Sequence, residues 1–162
     1  MRIVLQRVTS ARVRVGDEVV GAIGAGLLAL VGVADGDAPA DARRLADKTA
    51  SLRIFAAGER PFDRSVIDIG GSILCVSQFT LLGDLRRGNR PSWSEAAAPE
   101  PARGAIDAYI GRLRHHGLEV ATGVFGAQMH VELDNDGPVT VMLDSRELVR
   151  PRTRPDREVP GG

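Results

Sequence analysis

Gly26-Leu27-Leu28-Ala29-Leu30-Val31-Gly32-Val33-Ala34-Asp35-Gly36-Asp37 decides the fold class. The apolar run from Leu27 to Val33 is strand length, and Gly26 and the Asp35-Gly36-Asp37 turn bound it. Such a run reads as a strand buried on both faces. Upstream, Val13 and Val15 alternate with Arg12 and Arg14, and Val19, Val20 and Ile23 follow between glycines, a period of two. Three strands within the first 33 or so residues predict a meander. Downstream the period changes: with Asp37 as N-cap and Pro39 in the first turn, Ala42, Leu45, Ala46, Thr49 and Leu52 recur at gaps of three and four. A helix therefore packs one stripe on the sheet.

Ser72 to Leu82 predicts a second long strand. A second helix runs from about Pro101 through Ile106, Tyr109, Ile110 and Leu113 to a stop at Gly117. Strand period returns where Met129, Val131 and Leu133 alternate with His130, Glu132 and Asp134, and again from Val139 to Leu143 after a turn at Gly137-Pro138. Two main helices among about seven strands predict an α+β fold, a curled antiparallel or mixed sheet or barrel, in place of a doubly wound parallel sheet. The 162 residues suit one core. Residues 1–145 form the expected domain. Residues 146–162 carry Arg146, Arg150, Arg152, Arg154 and Arg157 with three prolines and few apolar groups, and read as a disordered tail.

Composition removes several classes. At 43% hydrophobic and 26% charged, the chain is that of a globular protein, and no apolar run reaches the roughly 18 residues of a membrane helix. The opening residues turn charged at Arg7 and Arg12 before any signal-like apolar block is complete, which makes the cytoplasm the expected compartment. A lone cysteine, Cys75, permits no internal disulfide. Acidic and basic residues balance at 21 each, so any contact with nucleic acid must come from a local patch. Phosphate-loop, dinucleotide, nucleophile-elbow and zinc-protease signatures are missing. His115 and His116 point about 100° apart on a helix and suit its C-terminal dipole, while His130 stands alone in a strand. No metal site and no cofactor are expected.

Three segments carry chemistry. In Val76-Ser77-Gln78-Phe79-Thr80-Leu81-Leu82 polar residues interrupt an apolar strand, and period two would put Gln78 and Thr80 on one face, Ser77 and Phe79 on the other. They either close the sheet or bind a ligand, since buried polar groups need partners. In Asn135-Asp136-Gly137-Pro138-Val139-Thr140 a turn explains the composition, although proline at a strand entry removes a ladder donor and permits a cis bond. Gly83-Asp84-Leu85-Arg86-Arg87-Gly88-Asn89-Arg90-Pro91-Ser92-Trp93 places three arginines and an indole after the polar strand end. Arginine forks grip phosphate and indoles stack on bases, yet such loops also occur simply solvated. Thr80 and Ser77 are potential nucleophiles, but no histidine or lysine lies near them in sequence to serve as base. An RNA-binding module without catalysis, a general esterase using Thr80 or Ser77, and an assembly protein whose polar strand closes a barrel are the competing readings.

Over about residues 1–145 the chain resembles the D-aminoacyl-tRNA deacylases. The resemblance rests on Met1 to Val8, Ile23 to Leu28, Val76-Ser77-Gln78-Phe79-Thr80-Leu81, Arg87-Gly88-Asn89-Arg90-Pro91-Ser92, Thr122 to Ala127 with Met129, and Asn135 to Thr140. Pro61-Phe62 departs from the Met-Asn common in that family, and the tail after Ser145 runs past its usual end. The resemblance implies a homodimer of barrel-like subunits that hydrolyses the ester between the terminal adenosine of tRNA and a D-amino acid, and accepts glycine mischarged on tRNA. It implies that Ser77, Gln78, Phe79, Thr80 and Leu81 hold the terminal nucleoside, with Phe79 and Thr80 acting mainly through their backbone. Gly137-Pro138 matches a cis-proline element that enters the partner's pocket and rejects L-amino acids, and Arg7 matches the arginine that fixes it. Arg86, Arg87 and Arg90 are the candidate contacts to tRNA phosphate.

Overall fold

The computed structural model describes residues 1–86 and 88–149. Strand β1 spans Arg2–Val15, β2 Glu18–Ile23 and β3 Gly26–Gly32; helix α1 spans Pro39–Ser51. A hairpin, β4 (Phe55–Ala57) and β5 (Arg60–Arg64), precedes β6 (Ser72–Ser77). Helix α2 (Pro99–His115), β7 (Val120–Thr122), β8 (His130–Asp144) and the helical turn α3 (Ser145–Leu148) complete the described residues. The expected α+β class, with a curled mixed sheet and two main helices, is what forms. Among the described residues no helix is long and apolar enough to cross a membrane.

The first three strands are not a meander, because the sheet order is β2-β1-β3-β6-β7. Fourteen residues make β1 long enough to serve two partners in succession: its first half pairs with β3 and its second with β2. β8 covers the opposite side of β1 along most of its length. β3, β6 and β7 are parallel neighbours, and α1 and α2 lie in the two crossovers. The sheet curls until β2 meets β7 at Gly21, where a Cβ would stand 2.5 Å from the Thr122 carbonyl oxygen. A bare backbone is what lets the curl nearly close.

Both faces of β3 are buried, as its unbroken apolar run requires. Leu27, Ala29 and Val31 join Ile73 and Cys75 under Ala42, Leu45 and Ala46 of α1 and Ile106, Tyr109, Ile110 and Leu113 of α2. Leu28 turns into the curl with Val8, Val13, Leu74 and Val76. Each fully buried leucine of this kind stabilises the fold by roughly 2 kcal/mol. Tyr109 keeps its polar tip satisfied in the core: its hydroxyl donates to Thr49 Oγ1 at 2.9 Å, and Thr49 donates to the Leu45 carbonyl at 2.8 Å. Burial pushes the Cys75 thiol up to about 12, so it is a packing group.

Three local expectations need correction. The α1 N-cap is Ala38, whose N–H donates to Asp41 at 3.0 Å. Asp37 is used elsewhere: it accepts from the Met1 amine at 2.5 Å and the Ala34 N–H at 2.6 Å. The β4–β5 hairpin has no expected counterpart in the sequence, because its strands of three and five residues are mostly exposed and show no alternation. The expected tail begins with an ordered turn, since Asp144 caps α3 by accepting from the Arg146 N–H. Residues 150–162, to which the expectation of disorder applies, lie outside the described residues.

Candidate active site

β6 stops at Ser77 and does not continue to Leu82. The Gln78 N–H donates to the Val31 carbonyl at 2.8 Å as the last link to β3, and Phe79–Leu82 then form a 3₁₀ turn. Leu81 N–H donates to the Gln78 carbonyl at 3.2 Å and Gly83 N–H to the Thr80 carbonyl at 3.1 Å. The turn replaces the expected face-sharing of a strand. Ser77 stays half-buried, Phe79 swings into solvent at 57% exposure, and Gln78 meets Thr80 by donating Nε2–H to its hydroxyl oxygen. Arg2 Nη1 donates to the Leu81 carbonyl at 2.7 Å and anchors the far end.

The chemical consequence lies in the main chain. Within a 3₁₀ turn the first N–H groups precede the first internal bond. Here the first N–H bonded within the turn belongs to Leu81, so those of Phe79 and Thr80 are the leading donors. The Thr80 hydroxyl faces an amide and no base. His116 is engaged by Asp47 at 2.6 Å, and His130 opens β8 opposite Arg14. No cluster of metal-ligating side chains occurs among the described residues.

A cavity of about 420 Å³ opens beside Ser77, between β6, β7 and α2. Arg103, Thr122 and Phe125 line it, with the Arg103 guanidinium 4.7 Å from the Phe125 ring centre. Residue chemistry alone gives no signal for this wall, because Arg103 and Phe125 are far apart in sequence and neither stands in a polar cluster.

The second element is Asn135 to Thr140. The expected turn between two strands is an excursion within one strand: β8 pairs with β1 at Val8↔Asn135 and again at Gln6↔Thr140, so Arg7 alone faces the intervening four residues. The Gly137-Pro138 peptide is cis and Gly137 has φ +117°. Asn135 holds the base of the excursion by donating to the Arg7 carbonyl at 2.9 Å and the Val139 carbonyl at 3.1 Å. The Arg7 side chain, 13% exposed, donates Nη1–H to the Ile54 carbonyl at 2.6 Å and sets Nε 2.9 Å from Asp136 Oδ2. Within one chain no hydrogen bond or ion pair joins Gly137-Pro138 to Ser77–Leu81 among the described residues.

The arginine loop is less free than its sequence suggests. Asp84 and Ser92 pair in both directions at 2.8 and 3.0 Å, closing the loop. Arg86 is bound to Asp84 at 2.8 Å and stands 3.7 Å from Glu95; its hydrogen bonds hold the Asp84 carboxyl down at about 2. Arg90 is exposed, and Arg87 lies outside the described residues.

A curled mixed sheet with two helices on one face makes this an α+β protein, with a backbone-lined turn at one strand end and a glycine-proline excursion in β8. The family described as D-Tyr-tRNA(Tyr) deacylase matches residues 4–144, and the chain belongs to it. It is 59% identical over 154 residues to a D-aminoacyl-tRNA deacylase of Roseiflexus sp. (strain RS-1), covering 95% of this chain and 99% of that one. A D-aminoacyl-tRNA deacylase of Anaeromyxobacter dehalogenans (strain 2CP-C) is 57% identical over 148 residues, 91% and 99% of the two chains. Among solved structures, one titled c-Myc DNA Unwinding Element Binding Protein superposes with TM-score 0.82 at 38% identity, over 89% of this chain and 98% of that one. A probable eukaryotic D-amino acid tRNA deacylase shares the fold at TM-score 0.76 and 18% identity, over 88% and 97%.

Proposed function

We propose that the protein hydrolyses the ester joining a D-amino acid, or mischarged glycine, to the 3′-terminal adenosine of tRNA, and so acts in chiral proofreading in the cytoplasm. The observation that carries this reading is the Gly137-Pro138 excursion, presented by β8 and backed by Arg7. Among the described residues β8 pairs with β1 alone; in this reading its other edge meets a second copy, and the protein is a homodimer in which each Gly137-Pro138 enters the partner's pocket. Two main-chain carbonyls held beside the substrate Cα accept hydrogen bonds from its amino group and occupy the space an L side chain needs. Glycine, with hydrogen on both sides, passes the same filter.

Hydrolysis then requires little side-chain chemistry. The terminal nucleoside lies along Ser77–Leu81, with the cavity beside Ser77 of a size to take a base. Water attacks the ester carbonyl carbon, oriented by the vicinal ribose 2′-hydroxyl, and the N–H groups of Phe79 and Thr80 receive the developing oxyanion. The bond from the acyl carbon to the ribose 3′ oxygen breaks, and that oxygen takes up the proton. Arg90, exposed and beside the site in sequence, is the available phosphate contact of the loop. The test is release of amino acid from D- and L-tyrosyl-tRNA by the purified protein. Rapid release of D-tyrosine only is expected; equal rates for both, or binding of tRNA without release, would overturn the reading.

A further inference from the structure

Phe79 is the most exposed residue of its turn's apolar set, and four residues of 3₁₀ helix cannot by themselves hold it still. Its ring meets one other aromatic group: Trp93 lies edge-to-face at 5.4 Å between centres and 78° between planes. Trp93 also touches the other end of the same turn. The indole sits so close to Gly83 that a Cβ there would lie 2.6 Å from Trp93 Cζ3, and Gly83 is the residue whose N–H closes the turn on the Thr80 carbonyl. The backbone that carries the indole is held, because neighbouring Ser92 is paired with Asp84 and the Trp93 carbonyl accepts from the Ala96 N–H at 2.9 Å. The loop from Asp84 to Ser92 thus returns the chain so that Trp93 clamps the turn at both ends.

We propose that Trp93 is a positioning residue that sets the Phe79 and Thr80 amides by clamping the Phe79–Leu82 turn between its contacts with the Phe79 ring and Gly83. This rests on the deacylase reading, in which those amides face the oxyanion. Misplacing such donors by about 1 Å costs on the order of a hundredfold in rate. A lost clamp therefore appears in kcat, whereas a lost surface contact to RNA would appear in KM.

Three single variants and one double variant test it on D-tyrosyl-tRNA, with folding checked by circular dichroism. Trp93→Ala is expected to lower kcat about ten- to hundredfold with KM within about threefold, and Trp93→Phe, which keeps a ring against Phe79, to recover most of the loss. Gly83→Ala is an independent lever, since the backbone at Gly83 (φ −62°, ψ 126°) accepts alanine and the new methyl group displaces the indole. It should lower kcat in the wild-type background and add nothing to Trp93→Ala. Trp93 is the sole tryptophan, so its emission reports the displacement without reference to activity. Wild-type kcat in Trp93→Ala, an effect on KM alone, or a Gly83→Ala loss that persists without the indole, as expected if the methyl acted through the nearby Thr80 carbonyl, would each overturn the inference. An inactive wild-type protein would overturn the deacylase reading and this inference with it, while full activity in Trp93→Ala would overturn this inference alone.

Discussion

Arg7 and Asp136 stand 2.9 Å apart, Nε to Oδ2, at the point where β1 and β8 lose register. The approach is electrostatic and not an aligned hydrogen bond, for Nε has no properly directed partner. The same guanidinium reaches the Ile54 carbonyl ahead of the β4–β5 hairpin. One planar cation therefore ties the excursion to two separate parts of the fold, and a built Cβ on Gly137 would lie only 2.9 Å from Arg7 Nη2.

Replacing Arg7 by lysine keeps the charge but removes the fork that serves both partners. Arg7→Lys should reduce the ratio of D- to L-tyrosyl-tRNA hydrolysis rates by about tenfold or more, because a loosened excursion excludes the L side chain less well. Parallel single-turnover assays with the two tRNAs measure it. An unchanged ratio would remove Arg7 from the stereochemical filter.

Thr80 gives the opposite expectation. Its hydroxyl accepts from Gln78 and has no base beside it, so it is not activated as a nucleophile. Thr80→Ala should keep kcat within about tenfold of wild type, in line with a modest loss of orientation. A fall of four or more decades in a folded variant would show covalent catalysis after all.

Asp47 predicts a pH dependence of stability. Hydrogen bonds from Arg112 and then His116 hold its carboxyl below 3.8. A depressed carboxyl means that the unfolded chain binds the proton more readily, so the stabilisation is present above 3.8 and is lost as pH falls through the lower folded value. The carboxyl is 43% exposed, and solvent screening limits the effect to about 0.5 kcal/mol at moderate salt. Urea unfolding between pH 5 and pH 2 should show a steeper acid loss for wild type than for Asp47→Asn. Parallel curves would remove Asp47 as a source of acid sensitivity.

The parts of the fold legible in the sequence are those in which one period persists over many residues. Leu27 to Val33 had to be a strand buried on both faces, and the stripes at Ala42, Leu45 and Ala46 and at Ile106, Tyr109 and Leu113 had to face a sheet. Residue types alone also drew attention to Ser77–Leu81, Gly137-Pro138 and the loop before Trp93. The period failed at Gln78, where a local turn won over strand continuation once the pairing with Val31 ended. It failed again at Asp136 to Val139, which composition presents as a hairpin turn although β1 runs past it on the far side.

Local chemistry in the chain was thus enough to determine which segments bury apolar surface, which interrupt it with polar groups, and the α+β class these imply, because periodicity and polarity are properties of neighbours in sequence. Only tertiary structure decided that β1 would take two partners in turn, that Arg7 would back the excursion, that Arg86 would be neutralised by Asp84, and that Trp93 would lie against both Phe79 and Gly83. Those are contacts between distant residues, and their geometry is set by how a long strand curls and which surfaces the curl brings together.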